Sequence, residues 1–226
     1  MKRAIGLFGT TIGKKIAMAL SGLMLLGFVV GHMAGNLKIY QGEAKYNAYA
    51  EGLRELGDPL FGHGQLLWIA RLGLLAAVGI HILSAVQLTR IAKQARPVGY
   101  KQKDNLSFSY ASRTMRWGGV ILLGFIVYHL LHLTLGSVHH DFEHGSVYKN
   151  VVSAFALWPV ALTYIICMLP LGFHLYHGIW SVTQTLGLDG PRISRVRRAA
   201  AAGIALVVTL GNISIPLAVL AGVIKL

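Results

Sequence analysis

The chain is poor in charge, and the little it has is lopsided. Only 13% of its 226 residues are Asp, Glu, Lys or Arg, while 54% are hydrophobic; soluble domains carry about 25% charged residues. No soluble fold hides so much apolar surface behind so few charges, so the membrane class leads. There is one cysteine, Cys167. That excludes an intramolecular disulfide and any thiolate cluster built from this chain alone, and the residue reads as a small buried hydrophobe. Only eight residues are acidic: Glu43, Glu51, Glu55, Asp58, Asp104, Asp141, Glu143 and Asp189. All lie outside the long apolar runs. Proton pumps and cation-coupled transporters normally need a carboxylate near the midplane, so both are disfavoured. Internal repeats and low-complexity linkers are also missing.

Five apolar runs are present, at residues 16–36, 66–89, 117–138, 154–187 and 199–224. Each reaches the roughly 20 residues that a bilayer-spanning helix needs. The expected fold is all-α, one transmembrane domain over residues 1–226 made of five spanning helices. The first run follows Lys2, Arg3, Lys14 and Lys15 as a signal peptide would. It is too long for an h-region and no Ala-x-Ala site closes it, so it reads as a retained span. The polar stretch after it, 37–65, holds a short amphipathic helix at about 44–56 that would lie on the membrane surface. Pro170 withholds a donor from the carbonyl of Ile166, which predicts a kink one turn before His174.

The formal net charge of +13 does not read as nucleic-acid binding, because the basic residues are split among short separate loops. It fits cytoplasmic loops and anionic lipid headgroups. Fifteen Lys and Arg lie before the first span, between the second and third, and between the fourth and fifth. Five lie on the other side, with Arg71 inside the second span. The positive-inside rule then puts the N-terminus in the cytoplasm and the C-terminus outside. The basic stretches 90–116 and 189–198 would face a partner or headgroups there.

Ten histidines divide into two groups. His63, His139, His140 and His144 fall in loops and read as solvated. His32, His81, His129, His132, His174 and His177 fall within four consecutive spans. A single membrane histidine often only bonds a backbone carbonyl; six spread over four spans point to a bound group. Zinc and copper sites usually add carboxylate or sulfur ligands, and neither is available at depth. Haem asks for axial imidazoles, a hydrophobic slot, and polar groups for its propionates. Gly27, Gly31, Gly35, Gly79, Gly124, Gly172 and Gly178 would let helices approach a flat ring. Four helices with one ligand each make two bis-histidine haems.

Depth suggests the pairing. At about 1.5 Å rise per residue, His32 and His129 fall in the half of the bilayer away from the N-terminus. His81 and His174 are left for the nearer half. His132 and His177 each sit three residues from a preferred ligand, about one turn along the same face. Either is an alternative ligand; otherwise they could hold a propionate, a quinone or water.

These features resemble the cytochrome b membrane anchor of succinate dehydrogenase and fumarate reductase, in its single-chain, five-helix, two-haem form. The resemblance is carried by SGLMLLGFVVGHMAGN at 21–36, the His81 span, FIVYHLLH at 125–132 and FHLYHGIWS at 173–181. It implies haem ligation by His32, His81, His129 and His174. It also implies a flavoprotein subunit and an iron–sulfur subunit on the cytoplasmic face, since this chain has neither a dinucleotide-binding glycine fingerprint nor a cysteine cluster. Electrons would pass through two b haems to a quinone, menaquinone for the two-haem type, in a bacterial cytoplasmic membrane. A quinone needs a proton donor on reduction. Glu51, Arg54 and Glu55, after the first span, are the candidates near the outer pair, and Arg71 is a further haem or quinone candidate. Some two-haem fumarate reductases carry a glutamate beside the ligand of the fourth histidine helix. Here Gly172, Phe173 and Leu175 stand there, which tilts the expectation toward succinate oxidation. The alternative reading is a stand-alone two-haem cytochrome b with another donor; a haem-free transporter ranks below both.

Overall fold

The computed structural model describes residues 9–95, 110–188, 190 and 193–226, with the backbone alone at 110–114. The expectations for Lys2, Arg3, Arg96, Lys101, Lys103, Asp104, Asp189 and Arg192 lie outside the described residues.

The architecture is all-helical, with no strand among the described residues. Helix α1 (Thr11–Asn36) starts at Thr10, whose hydroxyl accepts from the Gly13 N–H at 3.0 Å. That bond meets one of the donors left over in a first turn. A 3-10 turn (Leu37–Gln41) and Gly42 at φ 91° lead into α2 (Glu43–Glu55). Then come α3 (Gln65–Gln94) and α4 (Tyr110–His129), which runs on into a π turn (Leu130–Thr134). Short α5 (Val147–Ala156) precedes α6 (Trp158–Thr185) and α7 (Ser194–Leu220).

Five of these segments are long and apolar enough to cross a membrane: Thr11–Gln41, Gln65–Gln94, Met115–Thr134, Trp158–Thr185 and Ser194–Leu220. Their outer faces carry bare apolar side chains; Leu75 is 69% exposed. In water such a surface would be a liability, whereas lipid tails are its natural solvent.

Residues 147–156 form a separate helix and not the start of the fourth span. Leu157 is extended, at φ −83° and ψ 106°. Pro159 explains the break: its ring would strike the carbonyl of Phe155 if one helix ran through. In the first turn of α6 its missing N–H costs nothing. Pro170 stays inside α6.

α6 is the central helix, packing on α7, α4 and α1, while α1 also packs on α3. Small residues bring the backbones close. A Cβ at Gly172 would stand 2.5 Å from Thr209 Oγ1, and one at Gly211 would stand 2.5 Å from Met33 Sδ. Gly172 therefore serves α6–α7 packing and not a slot beside the histidines. By contrast, neither α1 with α4 nor α3 with α6 packs closely along its length.

The end of the bundle away from the N-terminus is a packed cap. Ile39, Tyr46, Tyr148, Phe155 and Ile215 share one buried cluster there. Asn47 Oδ1 accepts from the Tyr148 N–H at 2.9 Å, and the Tyr148 hydroxyl donates to the Lys225 carbonyl at 3.0 Å. The Tyr46 hydroxyl donates to Asn36 Oδ1 at 3.2 Å. Burial, with neighbouring Tyr49, pushes that phenol up to about 12, so it remains a donor at neutral pH.

Candidate haem and quinone sites

Histidines bridge two helix pairs that do not pack closely, α1 with α4 and α3 with α6. His32 on α1 and His129 at the end of α4 have ring centroids 5.8 Å apart. His81 on α3 and His174 on α6 have theirs 6.1 Å apart. An iron held between two imidazoles at bonds of about 2 Å each sets the ring centroids about 6 Å apart. Each pair thus has the span of a bis-imidazole site.

Local sequence aims the rings. Phe28 stacks on His32 at 5.3 Å and Phe125 lies 5.9 Å from His129; both are i,i+4 neighbours on a helix face. His81 is held against α1 by the Met18 carbonyl at 3.2 Å and Ser21 Oγ at 3.4 Å. The Nδ1 atoms of His129, His174 and His177 are buried with no hydrogen-bond partner among the described residues. A buried polar atom left unmet is costly, so these nitrogens call for partners that the described residues do not supply. A Cβ at Gly31, Gly79, Gly124 or Gly178 would meet nothing within 4 Å, so space remains beside these helices. Gly27 is equally open but lines an apolar groove of about 680 Å³ between α1 and α7, with Leu23, Val30 and Ile204. Gly35 backs onto the Tyr49 ring.

The donor set decides between metals. Among the described residues, no three or more His, Cys, Asp or Glu come together as a bare ion's ligands. Zinc and copper want such clusters. An iron that brings four porphyrin nitrogens needs only the two imidazoles each pair offers. The residues present therefore fit haem.

The two extra span histidines have different surroundings. His132 lies in the π turn that follows His129, and both rings meet Tyr164 on α6, at 5.8 and 5.9 Å. It is 2% exposed, with Nδ1 3.0 Å from the Tyr164 hydroxyl, and it stacks on His139 at 4.8 Å. π turns often mark functional positions. His177 lies one turn beyond His174, with Trp180 at 6.0 Å. Trp180 in turn carries the Arg198 guanidinium at 5.1 Å.

His139 departs from the solvated reading. It is buried, its Nε2–H donates to the Asn150 carbonyl at 2.8 Å, and its Nδ1 accepts from the Asp141 N–H at 3.0 Å. Both contacts come from the fold of the 136–150 segment, which spacing alone does not reveal. His63, His140 and His144 are exposed.

Glu51 and Arg54 form a surface ion pair at 2.6 Å, with His63 Nε2 3.7 Å from Glu51; Glu55 is exposed at the end of α2. Arg71 is exposed two turns into α3 and sits over Trp68 at 4.9 Å. None of these four is in hydrogen-bond or ring contact with a span histidine. Tyr164, Ser21 and Arg197 were not singled out from sequence. Arg197 is buried and donates to Thr183 Oγ1 at 3.0 Å; in sequence nothing sets it apart from Arg195 and Arg198 in the same first turn.

The family model described as succinate dehydrogenase/fumarate reductase transmembrane subunit matches residues 100–213, just over half of the chain. The match takes in His129, His132, His174 and His177 and leaves α1 and α3 outside. No curated protein and no solved structure matches the chain. Members of the matched family are cytochrome b-type membrane subunits that generally bind haem and quinone and anchor flavoprotein and iron–sulfur partners. With five spanning helices, this chain is a multi-pass membrane protein and belongs to the succinate dehydrogenase/fumarate reductase transmembrane subunit family.

Proposed function

We propose that this subunit passes electrons from an iron–sulfur subunit through two b haems to a quinone, specifically menaquinone. His32 and His129 would hold one haem iron, and His81 and His174 the other. The observation that carries this reading is the pair of imidazole juxtapositions, 5.8 and 6.1 Å, each across helices that do not otherwise pack closely. Bound at these positions, haem supplies one-electron transfer between the two ends of the bundle.

The chain's own residues do the rest. The imidazoles bind iron as neutral donors, suited to a setting with no carboxylate at depth. Gly31, Gly79, Gly124 and Gly178 leave room for a flat ring, and the apolar span residues keep water away from it. His177, with its buried Nδ1 and Trp180 beside it, suits a propionate partner. Lys15, Arg195 and Arg198 sit at the end of the bundle where α1 and α7 begin. That end would be cytoplasmic and would receive the iron–sulfur subunit. At the opposite end, Glu51 and Glu55 would exchange protons with the quinone, as its reduction requires, with Arg54 as the charge partner of Glu51, and Arg71 lies on the same side. The C-terminus would then face outward, and the cell would be bacterial.

The test is affinity purification of the tagged chain from its native membranes. The reading expects a flavoprotein and an iron–sulfur protein in stoichiometric amounts, and two b-type haems reducible by succinate. A cytochrome that arrives alone and ignores succinate would contradict it.

A further inference from the structure

Of the four paired imidazoles, only that of His81 has a hydrogen-bond partner among the described residues, and the partner is a different helix. Its Nδ1 lies 3.2 Å from the Met18 carbonyl and 3.4 Å from Ser21 Oγ, both on α1. The Ser21 hydroxyl donates to the Ala17 carbonyl at 2.7 Å. Its proton is used there, so a lone pair is left facing the histidine. A carbonyl oxygen and a hydroxyl lone pair are both acceptors. Nδ1 must therefore carry the hydrogen, and Nε2 keeps the lone pair that can bind a metal.

Gly22 completes the arrangement. A Cβ built there would stand 3.2 Å from His81 Cε1 and 3.4 Å from Nδ1. The absent side chain is what lets the imidazole lie flush against the α1 backbone at the level of Met18 and Ser21. Ser21 is itself buried, so the contact is shielded from water, where a hydrogen bond weighs more.

We infer that Ser21 is a positioning residue that, beside the Met18 carbonyl, holds His81 in its Nδ1–H tautomer and lowers the redox potential of the iron which His81 and His174 bind. This rests on the proposed ligation by His81. A ligand imidazole that donates its second N–H becomes the stronger base, and a stronger donor favours ferric over ferrous iron. The potential of this site is thus tuned from α1, through the histidine and not by contact with the iron. The Nδ1 atoms of His129 and His174 have no such partner among the described residues. Tuning at Ser21 therefore acts on one of the two sites and leaves the other alone.

The experiment uses the complex purified from membranes, with haem counted by pyridine haemochromogen and potentials read by optical redox titration. The variants are Ser21→Ala, Ser21→Thr and Gly22→Ala. Ser21→Ala is expected to keep two haems and move one of the two one-electron waves to higher potential, leaving the other in place. Ser21→Thr retains the hydroxyl and restores the native wave. Gly22→Ala pushes the ring off its acceptors and shifts that same wave in the same direction. Should Ser21→Ala lose the haem, Ser21→Cys offers a weaker acceptor of similar size, and the same upward shift is expected there. Two haems with both waves unmoved in the Ala or Cys variant, or movement of both waves together, would overturn the inference. A native complex without two haems would instead overturn the ligation reading on which it rests.

Discussion

Tyr164 on α6 and His132 on the π turn share a hydrogen bond of 3.0 Å between Oη and Nδ1. Both residues are buried, at 7% and 2% exposure. Around them, Phe125, Tyr128, His129 and Phe155 meet the Tyr164 ring at 4.9 to 5.9 Å. The cluster ties the end of the third span to the fourth at the level of the His32–His129 pair. Stacking on His139 then ties both to the loop that follows.

Replacing Tyr164 with Phe keeps the ring packing and deletes one hydroxyl. His132 then loses its partner in a buried setting, which costs about 1–3 kcal/mol. The expected outcome is a lower thermal midpoint of the solubilised subunit. A midpoint equal to that of the native protein would show that the bond adds nothing to the fold.

For the quinone, Glu51→Gln and Glu55→Gln are expected to slow its reduction severalfold while leaving the haem content unchanged. The basis is that both carboxylates stand on the surface helix that follows α1, with Arg54 pairing Glu51 at 2.6 Å. Steady-state turnover with a soluble quinone analogue reads this directly. Native rates in both variants would move the proton-exchanging groups elsewhere, with His132 and Tyr164 next in line.

The loop before α5 should loosen in acid. Hydrogen bonds from Lys149, at 2.7 Å, and from Ser146, at 2.9 Å, hold the Glu143 carboxyl below its ordinary range. A depressed carboxylate contributes stability above its unfolded pKa and loses it as pH falls through the folded one. Lys149 is held above its ordinary range, by the Glu143 hydrogen bond first, so its contribution is lost only as pH rises through that raised value. Proteolytic nicking at residues 136–146 should therefore stay low from neutral to mildly alkaline pH and rise in strong acid. Glu143→Gln should raise nicking at neutral pH. A pH-independent rate in the native protein would contradict the assignment. Both side chains reach solvent, so high salt should weaken the effect.

Orientation is open to labelling in sealed vesicles. A cysteine at Ser194 should react from the cytoplasmic side and one at Ser137 from the outside, because the basic residues gather at the α1 and α7 starts. Reaction of the Ser194 variant from outside only would reverse the topology.

Much of this was legible in the sequence for definite physical reasons. Spanning helices announce themselves by length and lack of charge, so five were countable. Helical rise places His32 at the depth of His129 and leaves His81 for His174, because depth in a bilayer is a one-dimensional coordinate; it does not choose between His129 and His132, or between His174 and His177. What could not be read was lateral. Nothing in the spacing shows that Gly172 faces Thr209 on α7, or that Gly35 faces Tyr49. The π turn at Leu130–Thr134 has no compositional mark, so the bond from His132 to Tyr164 is not readable from spacing. The separate helix α5 is not legible in sequence because its residues are as apolar as a span, and Pro159 marks the break only once Leu157 is known to be extended. Ser21 stood in plain view within the 21–36 stretch, and only its distance to His81 on another helix gives it a role.

The most direct test of the central claim is a haem count on the purified complex, native and with each paired histidine replaced in turn by Ala. The account predicts two b haems per chain in the native complex. It predicts one in each of the four variants, with His32→Ala and His129→Ala retaining the same haem as judged by its potential, and His81→Ala and His174→Ala retaining the other. Two haems surviving any of these replacements, or a retained haem shared by His32→Ala and His81→Ala, would contradict it.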